Sequence, residues 1–224
     1  MPQRKSKKIF IYFFLLIIVG SINNISINKL KIEKIKKINI LGLDHMDKKI
    51  LLKDINNLNL QNIFFINTNE IKNIIETNPL IEKYEIIKKY PNSLDIKINK
   101  TEFLARINHN GETFFIGNNG KLSKKNYSKD DLPYIFGKPQ INQFLEFKKI
   151  IDKSNIQYQE IKSLFYFQSK RWDIRFKNNI LIKLPKDIKI ETLDIILSFL
   201  NNKKFQNSKV LDARIINQII ILNE

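Results

Sequence analysis

Few residues in this sequence have the types and spacing that catalysis or metal binding requires, and those few lie far apart. The two histidines, His45 and His109, fall in or beside predicted turns, where a solvated loop position explains them. Asp130 and Asp131 are adjacent carboxylates in a polar loop, where backbone capping is a commoner role than acid–base catalysis. The chain has no cysteine, which excludes thiolate metal sites and disulfides. We therefore predict no catalytic residue, no metal site and no cofactor.

A stretch containing Gly117, Gly120 and Lys121 has a superficial likeness to a phosphate-binding loop. Its spacing does not match the GxxxxGKS/T pattern, and a hairpin turn accounts for the glycines. No nucleophile elbow or recognisable triad pattern frames any serine. The sequence therefore predicts a protein that is not an enzyme and has no small-molecule substrate.

The formal net charge of +17 is typical of proteins that bind nucleic acid. However, the lysines are spread along the whole chain, and only five arginines offer the fork that recognises phosphate in a bidentate way. Aromatic residues in predicted strands more often pack within the protein than stack on bases. We expect no nucleic-acid partner; an exported basic protein that binds nucleic acid or an anionic polymer is the alternative. The arginines are Arg4, Arg106, Arg171, Arg175 and Arg214, and the aromatic groups are Phe64-Phe65, Phe114-Phe115 and Phe165 to Phe167.

The N-terminal segment is the most apolar part of the chain. Four basic residues precede it, and no charged residue occurs over 9–28, a window close to the length that spans a bilayer. A cleavable signal peptide fits these residues equally well, since Val19-Gly20-Ser21 resembles a cleavage site, and a buried core helix is a third interpretation. The first two interpretations export everything after residue 28. The apolar side chains of the span are Ile9, Phe10, Phe13, Phe14, Leu15, Leu16, Ile17, Ile18 and Val19.

Residues 36–101 predict a small α+β unit of β-α-α-β-β order. Its first strand ends at Gly42, where the absent Cβ suits a turn, and Asn67 is placed to cap the second helix. A turn over 90–93 joins two strands, the second of which alternates apolar and polar residues. Both helices should cover one face of a three-stranded sheet. The strands cover 36–43, 80–87 and 94–98, and the helices have apolar positions at Ile50, Leu51, Ile55 and Leu58 and at Ile71, Ile74 and Ile75.

Residues 102–224 predict a second domain made mostly of strands. Asn110-Gly111 is a strong signal for a hairpin turn, and Asn119-Gly120 marks another. Asp187 is predicted to cap a helix whose apolar positions run from Ile190 to Leu200. The strands are predicted over 103–109, 112–116, 161–167, 172–177, 180–184, 209–215 and 218–222, with an earlier helix over 142–153.

The order and spacing of these motifs resemble the FtsQ/DivIB family of bacterial cell division proteins, and its alphaproteobacterial members especially. INILGL resembles the family's first strand and its turn, and YPNSL resembles the turn between the last two strands of its first domain. KRWDIRFKNNILIKLP and LDARIINQIIIL resemble strands of its second domain. The sequence departs from the family pattern at Lys100, Phe103 and Ala213. The matching motif positions are Gly42, Tyr90, Pro91, Leu94, Arg171, Trp172, Asp212 and Arg214.

The resemblance implies an α+β protein with an N-terminal single transmembrane helix. After it come a polypeptide-transport-associated (POTRA) domain and a C-terminal, mostly antiparallel β domain with two helices. It favours an uncleaved anchor, a cytoplasmic N-terminus and a periplasmic bulk at the septal inner membrane. The implied divisions are a cytoplasmic tail over 1–8, an anchor over 9–28, a linker over 29–35, a POTRA domain over 36–101 and a β domain over 102–224.

The family also implies a non-enzymatic scaffold that binds the bitopic proteins FtsB and FtsL and helps to recruit and regulate septal peptidoglycan synthesis. A POTRA-bearing secretion component is a rival function, but a membrane barrel or repeated POTRA units would not fit in 224 residues.

If the last strand lies at a sheet edge, its unpaired backbone groups can accept a partner's strand. An ordinary closing strand with a blunted edge is the alternative. The candidate partner-binding residues are Ile215, Asn217, Gln218, Ile219, Ile220, Ile221 and Leu222.

Overall fold

The computed structural model describes residues 5–22, 34–58, 60–125, 131–200, 209–215 and 218–222. Asp130, Asn217 and residues 23–28 of the predicted anchor lie outside these ranges.

The N-terminal segment forms the helix α1, Lys5–Ile22. Nearly all of its side chains from Ile9 to Val19 are exposed. Within the described residues, however, no helix is both long and apolar enough to cross a membrane. The described helix contains three lysines in its first turn, Lys5, Lys7 and Lys8, and residues 23–28 of the predicted span lie outside the described ranges. The predicted transmembrane helix is therefore not found among the described residues.

The first unit has the predicted β-α-α-β-β order. Its three strands pair in the order β1-β3-β2, with β1 parallel and β2 antiparallel to β3. The Asn67 side chain accepts a hydrogen bond from the Asn69 N–H, which confirms the predicted cap. The elements are β1 (Lys37–Leu41), α2 (His45–Asn56), α3 (Thr68–Thr77), β2 (Ile81–Lys89) and β3 (Ser93–Lys100).

The core of the first unit explains its sequence pattern. Leu94, Ile96 and Ile98 are buried, as their alternation predicts, and they pack in one cluster with Ile71 and other apolar residues of the helices. Each fully buried aliphatic side chain contributes about 1.5–3 kcal/mol, so this cluster supplies the main stabilisation of a small domain. At the end of β1 the chain turns at Gly42, which has a φ of +96°.

The second unit is built on one nine-stranded mixed sheet. The strand order is β12-β11-β10-β9-β8-β7-β4-β5-β6, and most neighbouring pairs are antiparallel. The helices α4 (Ile141–Lys153) and α5 (Ile190–Leu200) pack against the sheet. Their buried side chains, among them Phe147 and Ile196, form one hydrophobic core with the strands. The strands are β4 (Phe103–His109), β5 (Glu112–Gly117), β6 (Leu122–Ser123), β7 (Tyr134–Phe136), β8 (Ile161–Tyr166), β9 (Trp172–Phe176), β10 (Leu181–Lys183), β11 (Val210–Asp212) and β12 (Ile220–Leu222).

Three features of this unit differ from the prediction. The strands β6 and β7 were not predicted, because runs of two and three residues carry too little alternation to recognise. The predicted cap at Asp187 is wrong, since the first helical hydrogen bond runs from the Leu193 N–H to the Lys189 carbonyl and α5 begins at Ile190. The closing strands are shorter than predicted, because the Asp212 carboxylate accepts the Arg214 N–H at 3.2 Å and turns the chain at the end of β11.

The two units meet at a joint between β3 and β4. The Asn119 side-chain amide donates hydrogen bonds to the carbonyls of Pro79 and Ile81, at 3.0 and 2.8 Å. Leu80, Phe103 and Leu132 form a small buried cluster beside it. Phe103, which departs from the family pattern, is therefore part of the packing between the units. An ion pair of 2.9 Å between Lys125 Nζ and the buried Asp47 also crosses the joint, so both apolar and polar contacts fix it.

Candidate partner-binding edge

The strand β12 lies at one end of the nine-stranded sheet. Of the described strands it pairs with β11 alone, in antiparallel register with Asp212 opposite Ile220, Leu211 opposite Ile221 and Val210 opposite Leu222. Among the described strands none lies beyond it. Among the described strands the last strand thus lies at a sheet edge, which is the condition for the predicted strand addition, and we name this side of Ile220–Leu222 the β12 edge.

The direction of the backbone groups shows what the β12 edge offers. The Leu222 carbonyl points towards β11, where it accepts the Lys209 N–H at 3.1 Å. Successive residues of a strand point their N–H and C=O groups to opposite sides, so those of Ile221 point away from β11. An incoming strand would thus find a donor and an acceptor on the same residue.

The side chains of β12 divide between the two faces of the sheet as the sequence predicts. Ile219 and Ile221 are half-buried and pack against the core of the second unit. Ile220 and Leu222 face the other way and are 45% and 43% exposed. Ile215 and Gln218 are also exposed, in the segment that leads into the strand. An added strand would therefore find apolar contacts beside the backbone groups.

A forked ion pair fixes the strand next to this edge. Arg214 Nε lies 2.8 Å from Asp212 Oδ1 and 3.0 Å from Oδ2, and the same guanidinium also reaches Oδ2 through a second nitrogen. The hydrogen bonds from Arg214 hold the pKa of Asp212 below its ordinary value, although partial burial opposes them. Asp212 in turn raises the pKa of Arg214. These motif residues therefore position β11, which carries β12.

This ion pair makes a prediction about pH. We expect Arg214→Gln to move the carboxyl titration of Asp212 upwards to its ordinary range or above it, because the main cause of the lowered pKa is removed. The stabilisation by the pair should be present above the ordinary pKa of aspartate and lost as the pH falls through the lower folded-state pKa. NMR titration of the Asp212 carboxyl carbon measures this, with Arg171→Gln as the matched control. An unmoved titration in Arg214→Gln would contradict the assignment.

A second aspartate, Asp173, lies buried in the sheet next to two of the motif positions. Asp173 is 2% exposed, and burial raises its pKa against the lowering effect of Arg171, whose Nε lies 3.2 Å away. The Arg171 guanidinium also lies over the Phe167 ring, 4.4 Å from its centroid. Trp172 next to it points into the core and stacks on Phe147 at 4.6 Å. Arg171 and Trp172 thus hold opposite faces of the same strand in place.

A cationic pocket of about 300 Å³ opens on the face of the sheet near the β12 edge. Four basic residues line it, together with the Phe165 ring and one acidic residue, Asp173, which is paired with Arg171; the basic residues are Arg171, Arg175, Lys183 and Arg214. In the strand register Lys183 of β10 lies opposite Asp212 of β11, and β12 is the next strand beyond β11. The pocket is therefore about two strand spacings, about 10 Å, from β12. Sequence reasoning missed this pocket, because only the register of four strands brings these residues together. An anionic side chain on a bound strand would be attracted to it.

The other predicted motif positions lie in the first unit, far from β12 along the chain. Leu94 is a core residue, Gly42 forms the turn after β1, and Tyr90 and Pro91 are exposed in the turn between β2 and β3. They lie in or beside the first sheet and do not join the β12 edge.

The residues first considered for catalysis are not brought together. His45 begins α2 and His109 ends β4, and both are exposed. Asp131 forms an ion pair of 3.2 Å with Arg106. Within the described ranges no three histidine or acidic residues are grouped so that they would hold a metal ion.

Comparison with known proteins gives two family matches that follow one another along the chain. Residues 33–100 match the POTRA domain of FtsQ type, and residues 105–214 match the C-terminal domain of the cell division protein FtsQ/DivIB. The chain is 28% identical over 194 residues to the cell division protein FtsQ of Rickettsia bellii, which covers 81% of this chain and 69% of that protein. It is 27% identical over 192 residues to FtsQ of Rickettsia conorii, with the same coverage. It is 31% identical over 93 residues to the cell division protein DivIB of Staphylococcus aureus, over 42% of this chain and 21% of that protein.

Proposed function

Because the chain belongs to the FtsQ/DivIB family of bacterial cell division proteins, we propose that it is a non-enzymatic scaffold of the division machinery. It binds partners of the FtsB and FtsL type and helps to recruit and regulate septal peptidoglycan synthesis. The observation that carries the proposal is the β12 edge, with the outward backbone groups of Ile221 and the exposed side chains of Ile220 and Leu222. The partner adds a strand to this edge, and its acidic residues meet the cationic pocket.

The proposal includes a place for the protein in the cell. Its N-terminal segment, 9–28, anchors it once in the inner membrane, with a tail over 1–8 in the cytoplasm. The linker over 29–35, the POTRA domain over 36–101 and the β domain over 102–224 lie in the periplasm at the septum. The exposed apolar side chains of α1 support this placement. The intact mass of the membrane-extracted protein tests the uncleaved anchor, because loss of residues 1–21 contradicts it.

Depletion of the protein in its native cell tests the division role. We expect filaments in which chromosomes still segregate, because septal synthesis fails while replication continues. A control strain that expresses the chain from a plasmid should divide normally. Normal septation in depleted cells would contradict the proposal.

A further inference from the structure

One end of the first unit carries exposed aromatic side chains that the partner-binding edge does not use. Phe64, Phe65 and Tyr90 are 56%, 70% and 63% exposed. The rings of Phe64 and Tyr90 lie 5.0 Å apart, so the short turn before α3 and the turn between β2 and β3 form one surface. We name these three residues the aromatic tip. Such a cluster on a surface usually marks an interaction site.

The local backbone holds the aromatic tip in its exposed arrangement. The Asn62 side chain accepts the N–H groups of Phe64 and Phe65, at 3.1 and 3.2 Å. Ile63, which lies between Asn62 and Phe64 in the chain, is fully buried. The turn therefore fixes both phenylalanines on the surface, where more than half of each side chain stays exposed to water.

The aromatic tip is surrounded by positive charge. Three segments, 34–37, 60–65 and 88–93, meet there, through a hydrogen bond of 3.4 Å from the Ile35 N–H to the Gln61 carbonyl and one of 2.9 Å from the Lys36 N–H to the Asn92 carbonyl. These segments contain five lysines and no acidic residue. The nearby carboxylate of Asp95 is already held by Lys89, at 2.5 Å. The lysines are Lys34, Lys36, Lys37, Lys88 and Lys89.

The position of the aromatic tip in the chain indicates what covers it. Eleven residues, 23–33, lie between Ile22, the end of α1, and Lys34, so the tip lies within about 40 Å of the apolar helix. The strand β3 runs from Ser93 at the tip to Lys100 at the joint, a distance of about 23 Å. The tip is thus at the end of the first unit that receives the chain from α1, and the second unit is attached at the opposite end.

We propose that the aromatic tip docks on the anionic surface of the membrane that holds α1. The aromatic rings enter the headgroup region, as tyrosine and other aromatic side chains do at membrane interfaces, and the surrounding lysines attract lipid phosphates. The inference depends on the proposed membrane placement, but not on the division partners. It gives the first unit a second contact with the bilayer besides its chain connection.

Fluorescence quenching in nanodiscs tests this docking on the full chain. Phe65→Trp places a tryptophan in the tip, while the wild-type chain supplies the blank, because its single tryptophan, Trp172, is buried in the second unit. Lipids brominated near the glycerol end of their chains, in equal parts phosphatidylcholine and phosphatidylglycerol, should lower the added fluorescence at least about twofold. The matched control is Phe136→Trp, at an exposed position of the second unit, which should not be quenched.

The outcomes separate the tip from the anchor. If the chain elutes with the nanodiscs and the tryptophan at position 65 is not quenched, the docking is wrong and the proposed placement stands. If the chain does not elute with the nanodiscs, both are wrong. Equal quenching in phosphatidylcholine alone, or in the variant with Lys34→Gln and Lys37→Gln, would overturn the part assigned to the lysines.

Discussion

The variant Ile221→Pro is expected to bind an FtsB-like partner at least about tenfold more weakly than the wild-type chain. The Ile221 N–H points away from β11, so proline removes the donor that an incoming strand needs and leaves the β11–β12 hydrogen bonds in place. A partner carbonyl left without a donor in a closed interface costs about 1–3 kcal/mol, which is roughly 5- to 150-fold in affinity. Calorimetric titration with the soluble segment of the FtsB-like protein from the same organism measures the loss.

The control for this variant is Ile221→Ala, which keeps the N–H and removes most of the side chain that packs against the core. We expect it to bind with nearly wild-type affinity. The buried Trp172 reports on the fold of the second unit in both variants, so an unfolded protein is recognised by its fluorescence. If Ile221→Pro and Ile221→Ala bind equally well, the partner does not add a strand at the β12 edge.

The variant Gly42→Ala is expected to destabilise the first unit by about 4 kcal/mol or more, which is among the largest effects of a single substitution. A Cβ at this position would lie 1.8 Å from the Ile98 carbonyl oxygen in β3, and the φ of +96° is unfavourable for alanine as well. Both obstacles are backbone features, so no side-chain rotation relieves them. Hydrogen exchange of peptides from residues 37–100, followed by mass spectrometry, should become about a thousandfold faster.

A matched control separates the two causes. Gly111 has a similar φ of +84°, in the turn between β4 and β5, but a Cβ there meets nothing within 4 Å. Gly111→Ala should therefore cost only the conformational penalty of about 1–2 kcal/mol, seen in peptides of the second unit. Equal losses for the two variants would contradict the close approach of β1 and β3 at Gly42.

Much of the fold follows from local sequence signals. The β-α-α-β-β order of the first unit is visible because its helices and its last strand have clear periods and because Asn67 and Gly42 mark their ends. The sheet edge is a different matter. In the described sheet β12 lies at the end because β11 returns after α5 and pairs in parallel with β10. This pairing is long-range, and no local sequence pattern encodes it. The cationic pocket has the same origin in strand register.

At the aromatic tip, by contrast, the sequence did carry a local signal, and the interpretation of it was wrong. The sequence interpretation assigned Phe64 and Phe65 to packing within strands, because aromatic residues are common there. In the structure they occupy a turn that Asn62 holds with its side chain. The asparagine two residues before the first phenylalanine was a usable signal, since this residue type often binds the backbone N–H groups that follow it.

The joint at Asn119 has a mechanical consequence. The hydrogen bonds to Pro79 and Ile81 and the apolar cluster around Phe103 connect the two units beside the link between β3 and β4. Under the proposed function, force on a strand bound at β12 would pass through the nine-stranded sheet and along β3 to the end of the first unit that follows α1. If the proposed strand addition and the proposed membrane docking both hold, the joint would keep the β12 edge at a fixed distance from the membrane surface.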